Sequence, residues 1–151
     1  MSARLLGGVL GGIGGGIVFG ILMHTMEMLE MVASLVGQES AAAGWGVHLV
    51  ISVVIGVGFA LICGALRPGS GAAIVYGLVY GAVWWVLGPL VLMPAMLGMG
   101  AFPPIEQPQL MSLVGHLVYG LVLAGVYVAV SRRAATDAAA TSRRDSSYMR
   151  G

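Results

Sequence analysis

Four stretches of the chain, 5–26, 47–66, 72–99 and 110–130, run for about twenty residues or more without a charged side chain. A hydrocarbon core about 30 Å thick is crossed by roughly 20 apolar residues in a helix. The pattern predicts an all-α integral membrane protein, a four-helix bundle, within a transmembrane domain over residues 1–130. The spans are expected over about 5–30, 46–66, 72–99 and 110–130, the first carrying a polar outer end. The third is longer than a bilayer requires and contains Pro89 and Pro94. It is expected to kink, or to end early and leave a segment at the interface. After residue 130 the pattern changes to Ala, Thr, Ser and Arg. That stretch cannot bury enough apolar area to fold alone, so 131–151 is expected to be a disordered, basic cytoplasmic tail.

Composition sharpens this picture. Apolar residues make up 58% of the 151 and charged residues only 9%, against about a quarter charged in average soluble domains. A net charge of +1 gives no electrostatic reason to expect a nucleic-acid partner. Cys63 is the single cysteine, which excludes an intrachain disulfide and a CxxC metal or redox motif. The first apolar stretch is too long for a signal peptide and has no clean small-residue cleavage site, so it reads as the first span. All basic residues are arginines. Arg4 precedes span one, Arg67 lies between spans two and three, and Arg132, Arg133, Arg143, Arg144 and Arg150 follow span four. The other two loops have none. By the positive-inside rule both termini are expected in the cytoplasm, in a plasma (inner) membrane. Trp45 then falls where an outer interfacial anchor belongs.

Small residues recur every four positions. Gly8, Gly12, Gly16 and Gly20 do so in span one, Gly56, Ala60 and Gly64 in span two, and Gly77 and Gly81 in span three. Residues four apart share one helix face, and small ones let backbones approach closely. The glycine-zipper pattern predicts tight helix contacts, either between spans of this chain or with a second copy or another membrane partner. Trp84 and Trp85 are expected to pack on the bare face of span one. The halves also resemble each other. Ile17–Leu22 aligns with Ile74–Val79, and His48-Leu49-Val50 with His116-Leu117-Val118. The alignment predicts two parallel helix-pair repeats about an axis along the membrane normal.

The chemistry-bearing side chains gather at the outer end. His24, His48 and His116 all lie there, with Glu27 and Glu30. So do Met23, Met26, Met28, Met31, Met93, Met96, Met99 and Met111, which is every methionine except the terminal Met1 and Met149. On a continuous helix His24, Glu27, Met28 and Met31 would share one face. Three readings follow. Imidazole, thioether and carboxylate together could ligate a metal, thioether with imidazole favouring Cu(I), through His24, Glu27, His48, His116, Met28 and Met31. Alternatively His48 and His116 could hold one haem axially. Ionisable groups within spans could serve a small transporter or channel subunit, although these sit near the edge rather than the midplane. In the plainest reading the histidines bond between helices, the glutamates reach the headgroups, and the methionines fill gaps. No nucleophile–base–oxyanion set is present, so no catalytic residue and no enzyme activity is expected. The leading expectation is a structural or accessory membrane protein.

The stretch from Ser112 to Tyr127, SLVGHLVYGLVLAGVY, with Met93-Pro94 and the Pro-rich loop after it, resembles the last part of small prokaryotic four-span proteins of YagU-like layout. The resemblance covers mainly the second half of the chain. It implies a four-span bundle in a prokaryotic inner membrane, and no activity.

Overall fold

The computed structural model describes residues 2–148, and it is helical with no strands among them. Arg150 and Met149, named above, lie outside the described residues, as does Met1. Helix α1 spans Ala3–Thr25, α2 Leu29–Ser34, α3 Ala41–Leu66, α4 Ser70–Leu87, α5 Met93–Met96 and α6 Gln107–Tyr148. Four helical stretches, Ala3–Thr25, Ala41–Leu66, Ser70–Met96 and Gln107–Arg143, are long and apolar enough to cross a membrane. Their outward faces carry Ile21, Val50, Val54, Leu61, Val75 and Val79, each more than half exposed. So much contiguous exposed apolar surface suits lipid rather than water.

The helices pack in the order α3, α1, α6, α4. Helix α1 contacts α3 on one side and α6 on the other, α4 packs on α6, and α3 and α4 barely touch. Glycine sets this order. A Cβ on Gly8 would lie 2.5 Å from the Gly56 carbonyl oxygen on α3, and one on Gly12 would lie 2.6 Å from that of Ser52. On the adjacent face, a Cβ on Gly11 would lie 2.7 Å from the Leu123 carbonyl oxygen of α6, and one on Gly15 2.9 Å from that of Tyr119. Two adjoining faces of one helix are thus bare, and each receives a neighbour's backbone. Gly77 and Gly81 do the same for α4 against Gly120 and the His116 carbonyl of α6. Gly16 meets Ser52, and Gly20 lies beneath the Trp45 ring. Gly64 has nothing within 4 Å where a side chain would begin, so no other span of this chain packs against it there. Neither Trp84 nor Trp85 covers the bare faces of α1, which α3 and α6 already occupy.

The packing does not show the parallel repeat. A two-fold relating α1 to α4 and α3 to α6 would carry the close α1–α6 contact onto α4–α3, and those helices stand apart. Aromatic side chains hold that separation: the Tyr80 hydroxyl of α4 donates to the Ile55 carbonyl of α3 at 3.0 Å, with Phe59 packed beside it.

Two expected boundaries move. Span one ends at Thr25, not near residue 30, because Glu27 adopts a left-handed conformation with φ 55°. Its N–H bonds His24 O, and that of Met28 bonds Met23 O, which closes α1 with the paired bonds of a Schellman motif. Glycine usually takes this position, so a glutamate there gives no stop signal in the sequence. The tail also differs from expectation: α6 continues past residue 130 to Tyr148. Its alanines and arginines are strong helix formers, and the preceding span supplies the nucleus they would otherwise lack. The α-helix of the third span is interrupted near its prolines. Helix α4 gives way at Gly88–Leu92 to a π-helical turn containing Pro89, then to the one-turn α5 containing Pro94. Pro94 has no N–H for the Leu90 carbonyl, and that carbonyl instead accepts from Phe102 N–H at 2.7 Å as the chain folds back.

Candidate functional site

Because α3 and α4 stand apart, the bundle leaves a cavity of about 490 Å³ at the end opposite Arg4, Arg67 and Arg132. Every helix contributes to its wall. Phe19 and Met23 come from α1, His48 and Ser52 from α3, Trp84 from α4, and Ser112, His116 and Tyr119 from α6. The link Met26–Met28 and helix α2 close it on the methionine side, with Met31 and Val32 turned toward it. The π-helical turn adds Gly88 and Pro89, and α5 adds Met93 and Met96. Of the eight methionines grouped by sequence, six line this one space and only Met99 and Met111 do not.

The two histidines are held in defined tautomers. A carbonyl oxygen only accepts, so His48 Nε2 donates to Gly16 O at 2.9 Å and His116 Nδ1 donates to Ser112 O at 2.7 Å. His48 Nδ1 and His116 Nε2 therefore keep their lone pairs. The π-helical turn passes His116 Nε2, and a Cβ added at Gly88 would lie 3.9 Å from it. The Phe19 ring makes edge contacts with both imidazoles, with centroids 5.4 Å from His48 and 4.7 Å from His116. Phe19 thus touches both imidazole rings.

The remaining residues of the expected metal set divide. Glu27, Met28 and Met31 line the cavity, whereas His24 does not. His24 is exposed on α1 and faces Trp45 at 6.4 Å. The shared face expected for His24, Glu27, Met28 and Met31 does not exist, because the left-handed Glu27 breaks the helix between them. Among the described residues no three of His, Cys, Asp and Glu come together as a metal group. Sequence reading missed Phe19, Ser52, Ser112, Gln109 and Tyr119. His116 reaches the backbone carbonyl four residues before it, which any helical residue at position 112 would supply, so the spacing did not single out Ser112. Nothing local marked the others.

The cavity does not continue through the bundle. Tyr119 forms part of its floor and donates to Ser52 O at 2.6 Å. Beyond it, Phe59 packs between Tyr80 at 5.5 Å and Tyr127 at 5.7 Å, and is itself 1% exposed. This aromatic layer separates the cavity from a smaller pocket at the arginine end. Compared with known proteins, the chain matches no family model, no curated sequence and no solved structure.

Proposed function

We propose that this chain is a non-catalytic membrane protein that binds a small, largely apolar ligand in the cavity at its methionine-rich end. One observation carries the reading: a space of about 490 Å³ lined mainly by apolar side chains, with a few converging polar groups. Ligand sites usually enclose roughly 300–1,000 Å³ with this lining. Methionine suits such a wall because its unbranched thioether adapts to irregular shapes. The arginine grouping supports placing this end at the outer leaflet of a prokaryotic inner membrane with both termini cytoplasmic. The aromatic layer across the bundle favours a binding protein over an open channel.

The test uses purified protein in nanodiscs and the apolar fluorophore 1-N-phenylnaphthylamine. Ile51→Phe with Leu92→Phe narrows the cavity from two lipid-exposed walls that tolerate bulk. Binding is expected to weaken more than about tenfold, while Val50→Phe, on the lipid face, leaves it unchanged. Equal affinity in all three proteins overturns the reading.

A second reading, soft-metal binding, is favoured by one specific observation. Each imidazole has one nitrogen anchored to a backbone carbonyl and the other free, as metal-ligating histidines usually do. With six thioethers beside two imidazoles, the donor set suits Cu(I). His48→Gln keeps an Nε2–H for Gly16, and His116→Asn keeps an Nδ2–H for Ser112, so both structural bonds survive while both lone-pair nitrogens are lost. Anaerobic Cu(I) titration against a chelator is expected to show one equivalent in the wild type and at least a tenfold loss in the double variant. An unchanged titration removes this reading without touching the first.

A further inference from the structure

The opposite end of the bundle holds a second pocket, of about 230 Å³, that the reading above does not use. Arg4 from the start of α1, Arg67 from the α3–α4 turn and Arg132 from α6 all line it. They are 63 and 65 residues apart in sequence, and only the fold brings them together. No aspartate or glutamate lines the pocket. Arg132 Nε donates to Ser70 Oγ at 3.0 Å, and Arg4 Nη1 makes a long 3.4 Å contact with Gly64 O. Most of the guanidinium hydrogens are therefore uncommitted, since each group carries five.

Two further features point to an anion. Helix α4 begins at this pocket with Gly69 as its N-cap, and no side chain accepts from its first amides. Such a helix end carries partial positive charge and free N–H groups. The walls below the arginines are apolar or aromatic, including Ala73, Val128 and Tyr127. A free ion would gain nothing from those walls, but the upper part of an acyl chain or a glycerol would.

We propose that Arg4, Arg67 and Arg132 form a site for the phosphate headgroup of an anionic phospholipid. The pocket sits where the apolar stretches of α1, α3, α4 and α6 give way to polar residues, which is the depth of a lipid phosphate. Guanidinium groups match phosphate oxygens in planar, two-pronged fashion. Basic pockets between membrane helices take lipid headgroups by the same chemistry. Topology alone would require arginines at this end, but not their convergence around one pocket without an acidic neighbour.

The test is native mass spectrometry of the full chain released from detergent with added phosphatidylglycerol or phosphatidylcholine. The wild type is expected to retain one phosphatidylglycerol in preference to phosphatidylcholine. Arg4→Gln, Arg67→Gly and Arg132→Gln are each expected to weaken retention about fivefold, and the triple variant about a hundredfold. Arg67 holds φ 50°, so glycine there removes the guanidinium while suiting the backbone. Arg133→Gln and Arg143→Gln, outside the pocket, are expected to leave retention unchanged. Equal retention of both lipids overturns the proposal, as does an unaffected triple variant. So does full displacement of phosphatidylglycerol by millimolar inorganic phosphate, which would show a free-ion site instead.

Discussion

At the scale of single residues, glycines and one glutamate decide most. Gly11 is buried against the Leu123 carbonyl, so Gly11→Ala forces α1 and α6 apart. It is expected to destabilise the bundle by about 1–3 kcal/mol, the usual cost of overpacking. Gly64→Ala meets open space, and the added helix propensity is worth up to about 1 kcal/mol in the opposite direction. Unfolding by denaturant in detergent micelles distinguishes the two signs. Glu27 holds a left-handed conformation that costs a side-chain-bearing residue roughly 1–2 kcal/mol. Glu27→Gly is expected to recover about that much in the same assay. A result in which Glu27→Gly is neutral or destabilising would mean that its side chain contributes at least as much as its backbone costs.

At the scale of elements, the two proline sites shape the cavity wall. The Leu90 carbonyl is free for Phe102 because Pro94 cannot claim it. Pro94→Ala supplies a competing N–H, so the Phe102 amide is expected to exchange with solvent faster in hydrogen-exchange mass spectrometry. Unchanged protection would show that the fold-back is held by something else. These elements also show what was legible beforehand. Apolar run length revealed four spans to within a few residues at most ends, because the bilayer imposes a length that any sequence must meet. The break after Thr25 was invisible, because the signal for a helix stop is a glycine and the residue there is Glu27. The α-helical continuation past residue 130 was missed for a related reason: composition describes a segment in isolation, whereas this one extends a helix already formed.

At the scale of the whole molecule, the grouping of chemistry-bearing residues at one end was readable, but their enclosure of a cavity was not. Residue spacing along each helix places His48, His116 and the methionines at similar depth. Which helix neighbours which depends on the two bare faces of α1. His24 shows the limit: it faces Trp45 and does not line the cavity. The sidedness itself is open to measurement. In a Cys63→Ala background, Gln38→Cys and Gly100→Cys are expected to react with a membrane-impermeant maleimide in intact cells. Ala135→Cys is expected to react only after lysis. The reverse labelling would place the arginine end outside and remove the orientation on which the outer-leaflet assignment depends.

The α1–α6 pair is joined backbone to backbone along its length, while α3 and α4 each lean on it from opposite flanks and meet mainly through a three-residue turn and the Tyr80 bridge. The molecule is therefore a stiff spine bearing two leaves that share a single hinge at one rim. Spreading the leaves at the far rim breaks no glycine seam, so the bundle is most compliant in the direction from which a lipid-dissolved guest would arrive.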